Sequence, residues 1–76
     1  MADDRSMAEI VYDIVKDMNS GNIEDTTRYI TNRYPIPTER ARNLVKGTLN
    51  RLRYEGKARV DWKDQESGAP VFEIVG

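Results

Sequence analysis

The chain has 76 residues, no cysteine and no histidine, and its 12 basic side chains nearly balance 13 acidic ones for a formal charge of −1. That length allows one domain at most and burial of about 60% of the unfolded chain's surface, enough for three short helices and a hairpin but not for an enclosed substrate pocket. Without Cys or His, disulfides, thiolate and zinc centres and the commonest general base are excluded.

Missing cysteine suits a reducing, cytoplasmic setting. No apolar run approaches the roughly 20 residues of a membrane span, and MADDRS lacks the basic-then-apolar form of a signal peptide. The expectation is a small intracellular domain over 6–76, with residues 1–5 disordered and no membrane partner. The near-zero net charge conceals a division. Residues 1–39 carry eight acidic side chains against four basic ones, whereas residues 40–63 carry eight basic against two acidic. Such a polarised map bears on partners more than the total does.

In chain order, Met7, Ile10, Val11, Ile14, Val15 and Met18 recur at the spacing of one apolar helical face. Ser6 followed by Glu9 reads as a capping box, and Asn19-Ser20-Gly21 as the stop. Glu9, Asp13, Lys16 and Asp17 make the wet face. A second helix is expected over residues 25–33, capped by Asp25 or Asn22, with Thr27, Ile30 and Tyr34 inward and Ile23 packing just before it. Pro35 and Pro37 then break the chain. Thr38 is the expected N-cap of a third helix ending near Tyr54, with Gly56 as its stop. Ala41, Leu44, Val45, Thr48, Leu49 and Leu52 share one side of it, and Arg40, Asn43, Lys46, Gly47, Asn50, Arg51 and Tyr54 the other. ARVDWK (58–63) alternates as a half-buried strand, DQESGAP is a turn, and VFEIV (71–75) is a second strand.

This order (helix, helix, proline turn, helix, hairpin) resembles the winged helix-turn-helix family over about residues 6–75. LVKGTLNRLRYEGKARV carries the likeness: apolar steps lead to a terminating glycine and then a basic strand. The two-proline turn is longer than the family's tightest versions. The resemblance implies an α+β fold of three helices with a C-terminal two-stranded β-hairpin wing. It further implies a double-stranded DNA binder acting in transcription, with helix three in the major groove and the wing on the backbone. The spacing of Lys46, Asn50, Arg51 and Tyr54 is also similar to that of winged-helix domains that grip left-handed nucleic acid, with Ala69-Pro70 in the wing. However, Gly56 follows Tyr54 about a turn too early, and Phe72 stands where the wing tryptophan would, so that preference is not carried over.

Arginine can hold guanine O6/N7 in bidentate fashion, asparagine adenine N6/N7, and lysine a phosphate. The candidate DNA contacts are therefore Arg40, Asn43, Lys46, Gly47, Asn50, Arg51 and Tyr54 on the third helix. Thr26 (or Thr27) at the start of the second helix and Lys57, Arg59 and Lys63 along the wing complete the set. Gly47 would let the helix backbone approach a partner closely. A solvated basic face is the plain alternative, but such a face normally mixes signs to gain i,i+4 pairs, and residues 40–54 contain no acid. Trp62 is expected to cover the core, and Tyr12 and Tyr29 to sit at the core edge or a dimer contact. Asp61, Asp64 and Glu66 lack calcium-loop spacing. No nucleophile–base pair, phosphate loop or cofactor motif is present, so neither enzyme activity nor a small-molecule substrate is expected. The small size of one module favours a homodimer on DNA. The rival expectation, favoured by a pI near 5.3, is a winged helix used as a protein–protein interaction module or complex subunit.

Overall fold

The computed structural model describes residues 6–62 and 71–75. The expected disorder of residues 1–5, the turn over 64–70 and the wing residue Lys63 lie outside the described residues. Helices α1 (Met7–Met18), α2 (Ile23–Arg33) and α3 (Thr38–Tyr54) and strands β1 (Ser20–Gly21), β2 (Ala58–Val60) and β3 (Phe72–Ile74) form an α+β domain in the order α1-β1-α2-α3-β2-β3.

Helix α1 starts where the Ser6 hydroxyl accepts the Glu9 N–H at 3.3 Å. It ends at Asn19, whose φ of 65° is left-handed, a conformation asparagine tolerates better than most residues. Ile10, Val11 and Val15 are buried, and Met7, Ile14 and Met18 pack partly buried at the core margin.

The chain then does more than stop. Ser20 and Gly21 pair with Glu73 and Phe72 as β1, so the expected two-stranded hairpin is a three-stranded antiparallel sheet in the order β1-β3-β2. Two residues contain no alternation to read, which hides such a strand from periodicity. The Gly21 position itself is constrained: a Cβ there would lie 3.3 Å from Met18 Cε and 3.4 Å from Phe72 Cζ.

Of the two cap candidates for α2, Asn22 serves: its side chain accepts the Asp25 N–H at 2.7 Å, and the helix starts at Ile23 rather than near 25. Thr38 is not the N-cap of α3 but its first residue. Pro37 takes the cap position with no side-chain bond, and its carbonyl accepts the Ala41 N–H at 2.9 Å. Proline's fixed φ delivers the chain into the helix without a capping hydroxyl. At the far end Gly56 adopts φ +74°, the Gly56 N–H donates to Arg53 O at 3.1 Å, and the Lys57 N–H donates to Leu52 O at 2.8 Å. That double bond is the Schellman arrangement, and it turns the chain directly into β2.

The strands are shorter than the expected runs of 58–63 and 71–75. Ala58, Val60, Phe72 and Ile74 face the core while Arg59 and Glu73 lie opposite one another on the outer face. Trp62 packs against the core margin, as expected. Helix α3 organises the interior. Its Ala41, Val45, Leu49 and Leu52 are fully buried against Val11 and Val15 of α1, Ile23 and Ile30 of α2, and Phe72. With both helices and β2 on one side of α3, its opposite side is left outward. Among the described residues, no helix is long and apolar enough to cross a membrane.

Candidate nucleic-acid interface

The outward side of α3 follows from the burial of the inward one. Arg40, Asn43, Lys46, Gly47, Asn50, Arg51, Arg53 and Tyr54 are all exposed, Tyr54 at 94%. At about 100° per residue, Asn43, Gly47, Asn50 and Tyr54 lie along the middle of this side, an uncharged strip with an exposed phenol at its C-terminal end. Cations border the strip on both flanks. Arg40 and Arg51 share the flank on which Arg51 meets Tyr12 of α1, and Lys46 and Arg53 share the opposite flank, where Lys46 acts on Glu24 of α2. None of Arg40, Lys46, Arg53, Lys57 and Arg59 forms an ion pair with another described residue. Arg53 was not among the sequence candidates, though the seven-residue interval from Lys46 puts both on one flank.

Gly47 stands in the middle of the strip with ordinary helical φ, and a Cβ placed there would meet nothing within 4 Å. Neither backbone geometry nor crowding inside the monomer requires glycine at this point. Its presence costs about 1 kcal/mol of helix propensity relative to alanine.

Two arginines of α3 are held by the neighbouring helices, in different ways. Arg42, half-buried, spends its fork on Glu24: Nε donates to Oε1 at 3.0 Å and Nη2 to Oε2 at 3.2 Å. These bonds hold the Glu24 carboxyl below its ordinary value and raise the Arg42 guanidinium, with Arg28 and Lys46 adding a weaker pull on Glu24. Arg42 is thus a strut between α2 and α3. Arg51 lies with its guanidinium carbon 4.7 Å from the centre of the Tyr12 ring, and its Nε is 3.5 Å from Glu55 Oε2. The Tyr12 hydroxyl donates to Glu55 Oε1 at 3.0 Å, and that bond first, then Lys57 and Arg51, lowers the Glu55 carboxyl from its ordinary value. Lys16 Nζ sits 5.5 Å from the same ring. The Arg42–Glu24 and Arg51–Tyr12 contacts leave no sequence signal, because each partner is far away along the chain, whereas Arg51 and Glu55 stand at an i,i+4 spacing.

Thr26 does not belong to the site. It is fully buried, and its hydroxyl donates to the Asn22 carbonyl at 2.8 Å. Thr27 is buried as well, with its Oγ1 lacking a hydrogen-bond partner among the described residues. The exposed first turn of α2 carries Glu24 and Asp25 instead, paired with Arg42 and Arg28 respectively. In the sheet, Lys57 and Arg59 are exposed, but Arg59 faces Glu73 across the ladder, which offsets its charge. Tyr12 occupies the core edge, whereas Tyr29 is 40% exposed under the Arg33 guanidinium, 4.4 Å from its ring centre. No protein-family model, curated protein or solved structure matches the chain.

Proposed function

We propose that this chain is a small winged helix-turn-helix protein that binds double-stranded DNA through the outer side of α3, acting in transcription or a related DNA transaction. The observation that carries this reading is the uncharged strip of Asn43, Gly47 and Asn50, bordered by Arg40 on one flank and Lys46 and Arg53 on the other, none of which forms an ion pair with a described residue. A B-form major groove is about 12 Å wide, admits one helix, and presents base edges between two phosphate walls. A neutral centre suits the edges, and Arg40, Lys46 and Arg53 at the margins suit the walls. The element order and the β1-β3-β2 sheet are compatible with a winged helix. On this reading Lys46, Arg40 and Arg53 meet phosphates, Asn43 and Asn50 meet bases, and Lys57 adds a backbone contact at the start of the hairpin. A homodimer or larger assembly would supply affinity beyond the roughly 600–1,000 Å² interface of one module.

Titration of labelled duplex at two salt concentrations tests the proposal. Four to six phosphate contacts give a log–log slope of roughly −4 to −5. Lys46→Ala should weaken binding to every sequence and reduce the slope by about 1, whereas Asn50→Ala should relax specificity at a cost of about 1–3 kcal/mol. Equal losses on all sequences for both variants would exclude base reading. An acidic protein binding this face in place of DNA, with duplexes failing to associate in dilute buffer, would establish the protein-interaction module instead.

A further inference from the structure

We propose that Arg51 is the specificity-determining cation of α3, and that Tyr12 and Glu55 are positioning residues that hold its guanidinium ready for a guanine edge. This inference rests on the duplex-binding role of the α3 face. Flexible cations lose rotamer freedom when they order against a ligand, so one already ordered by its own protein binds with a smaller entropic loss. Arg51 is held on two sides: by the Tyr12 ring at 4.7 Å and by Glu55, itself fixed through the 3.0 Å bond from the Tyr12 hydroxyl.

The comparison with Arg42 shows what this arrangement leaves available. Both Nε and Nη2 of Arg42 are committed to Glu24, and its side chain is only 33% exposed. Arg51 approaches Glu55 most closely through Nε, neither of its terminal nitrogens makes a hydrogen bond to a described residue, and its side chain is 64% exposed. Two terminal N–H donors on a largely exposed side chain are what guanine O6 and N7 require.

Its surroundings favour a base over a phosphate. Glu9 and Asp13 line the same cleft as Tyr12 and Arg51, and Glu55 is adjacent. Beside Arg51 a phosphate would meet the Glu9 and Glu55 carboxylates as well as the Lys16 and Lys57 cations, whereas an uncharged guanine edge is repelled by neither sign. The phosphates are left to Arg40, Lys46 and Arg53.

The experiment compares a duplex selected by the wild-type protein from a random pool with a scrambled duplex of the same composition, at one salt concentration. Arg51→Ala is expected to lower the ratio of the two affinities by on the order of tenfold. Glu55→Gln and Tyr12→Leu are expected to lower it several-fold, Tyr12→Phe less because the ring remains, all with the salt slope unchanged. The deciding measurement is the double variant Tyr12→Leu/Arg51→Ala, which should lose no more discrimination than Arg51→Ala alone, since Tyr12 acts through Arg51. Thermal melting of each variant separates this from loss of fold, and Glu55→Gln provides a surface variant should Tyr12→Leu fold poorly. Additive losses, or an unchanged ratio in Glu55→Gln, overturn the proposal while leaving duplex binding intact. Failure of the wild-type protein to bind any duplex overturns both.

Discussion

Gly47→Ala separates what the fold needs from what a partner needs. The added methyl meets nothing within 4 Å and the backbone is ordinary helix, so the monomer gains helix propensity without strain. The gain is about 1 kcal/mol. For 76 residues, unfolding entropy near 2.1 cal/mol/K per residue makes this a rise in Tm of roughly 6 °C. Gly56→Ala is the internal control. A Cβ there also meets nothing within 4 Å, but φ is +74°, so the same substitution should lower stability by about 1 kcal/mol or more. Opposite signs at two equally uncrowded positions would show that conformation, not space, decides each. The methyl at 47 should also hold a duplex away from Asn43 and Asn50. A lost base contact is worth about 1–3 kcal/mol, so affinity for a selected site should fall by on the order of tenfold. Thermal melts and duplex titration of one preparation measure both effects. A Gly47→Ala protein that is more stable and binds DNA equally well would refute the close-approach explanation. One that is less stable would refute the account of the helix itself.

Thr27→Val should raise stability by about 1 kcal/mol in urea unfolding, because it removes a buried hydroxyl that has no partner among the described residues. Thr26→Val should instead destabilise, since that hydroxyl bonds the Asn22 carbonyl. Leu49→Ala, at a fully buried position of α3, should cost about 2–5 kcal/mol in the same assay. Stability should also fall in acid. Glu24 has a folded pKa held below its ordinary 4.5 by Arg42, so its contribution is present above that value and is lost as pH drops through the depressed one. Glu24→Gln should flatten this part of the pH–stability curve, read by Tm from pH 7 to pH 3.

What the sequence made legible was what repeats. The apolar rows of α1 and α3, the Gly56 stop and the alternation of Ala58 and Val60 each rest on a period or a local backbone rule, and each appears in the structure. Features that depend on one distant partner did not show. Ser20–Gly21 becomes a strand only because β3 arrives beside it, and Arg42 becomes a strut only because Glu24 lies across the α2–α3 seam. Thr26 was misplaced for a related reason: a threonine near a helix start reads as a phosphate anchor, but here the buried arc of α2 includes it. The candidate face itself was legible because it is the complement of a core row, though Arg51 read as one free cation among several and the structure ties it to α1.

The placement of acids around α3 bears on why the face exists. Opposite charges at i,i+4 along one helix side would gain a few tenths of a kcal/mol per pair. The helix instead carries Arg40, Lys46, Arg51 and Arg53 outward with no acid between residues 40 and 54. Acids do stand near it, but at its margins. Glu24 takes up Arg42 from the α2 side, and Glu55 takes one edge of Arg51 after the last turn. Each such pair ties a cation to the scaffold, while Arg40, Lys46 and Arg53 form no ion pair with described residues. A surface shaped only for solvation would be improved by moving those acids inward along the helix. The outward cations therefore forgo that gain, and on the reading proposed above a polyanion would supply their partners.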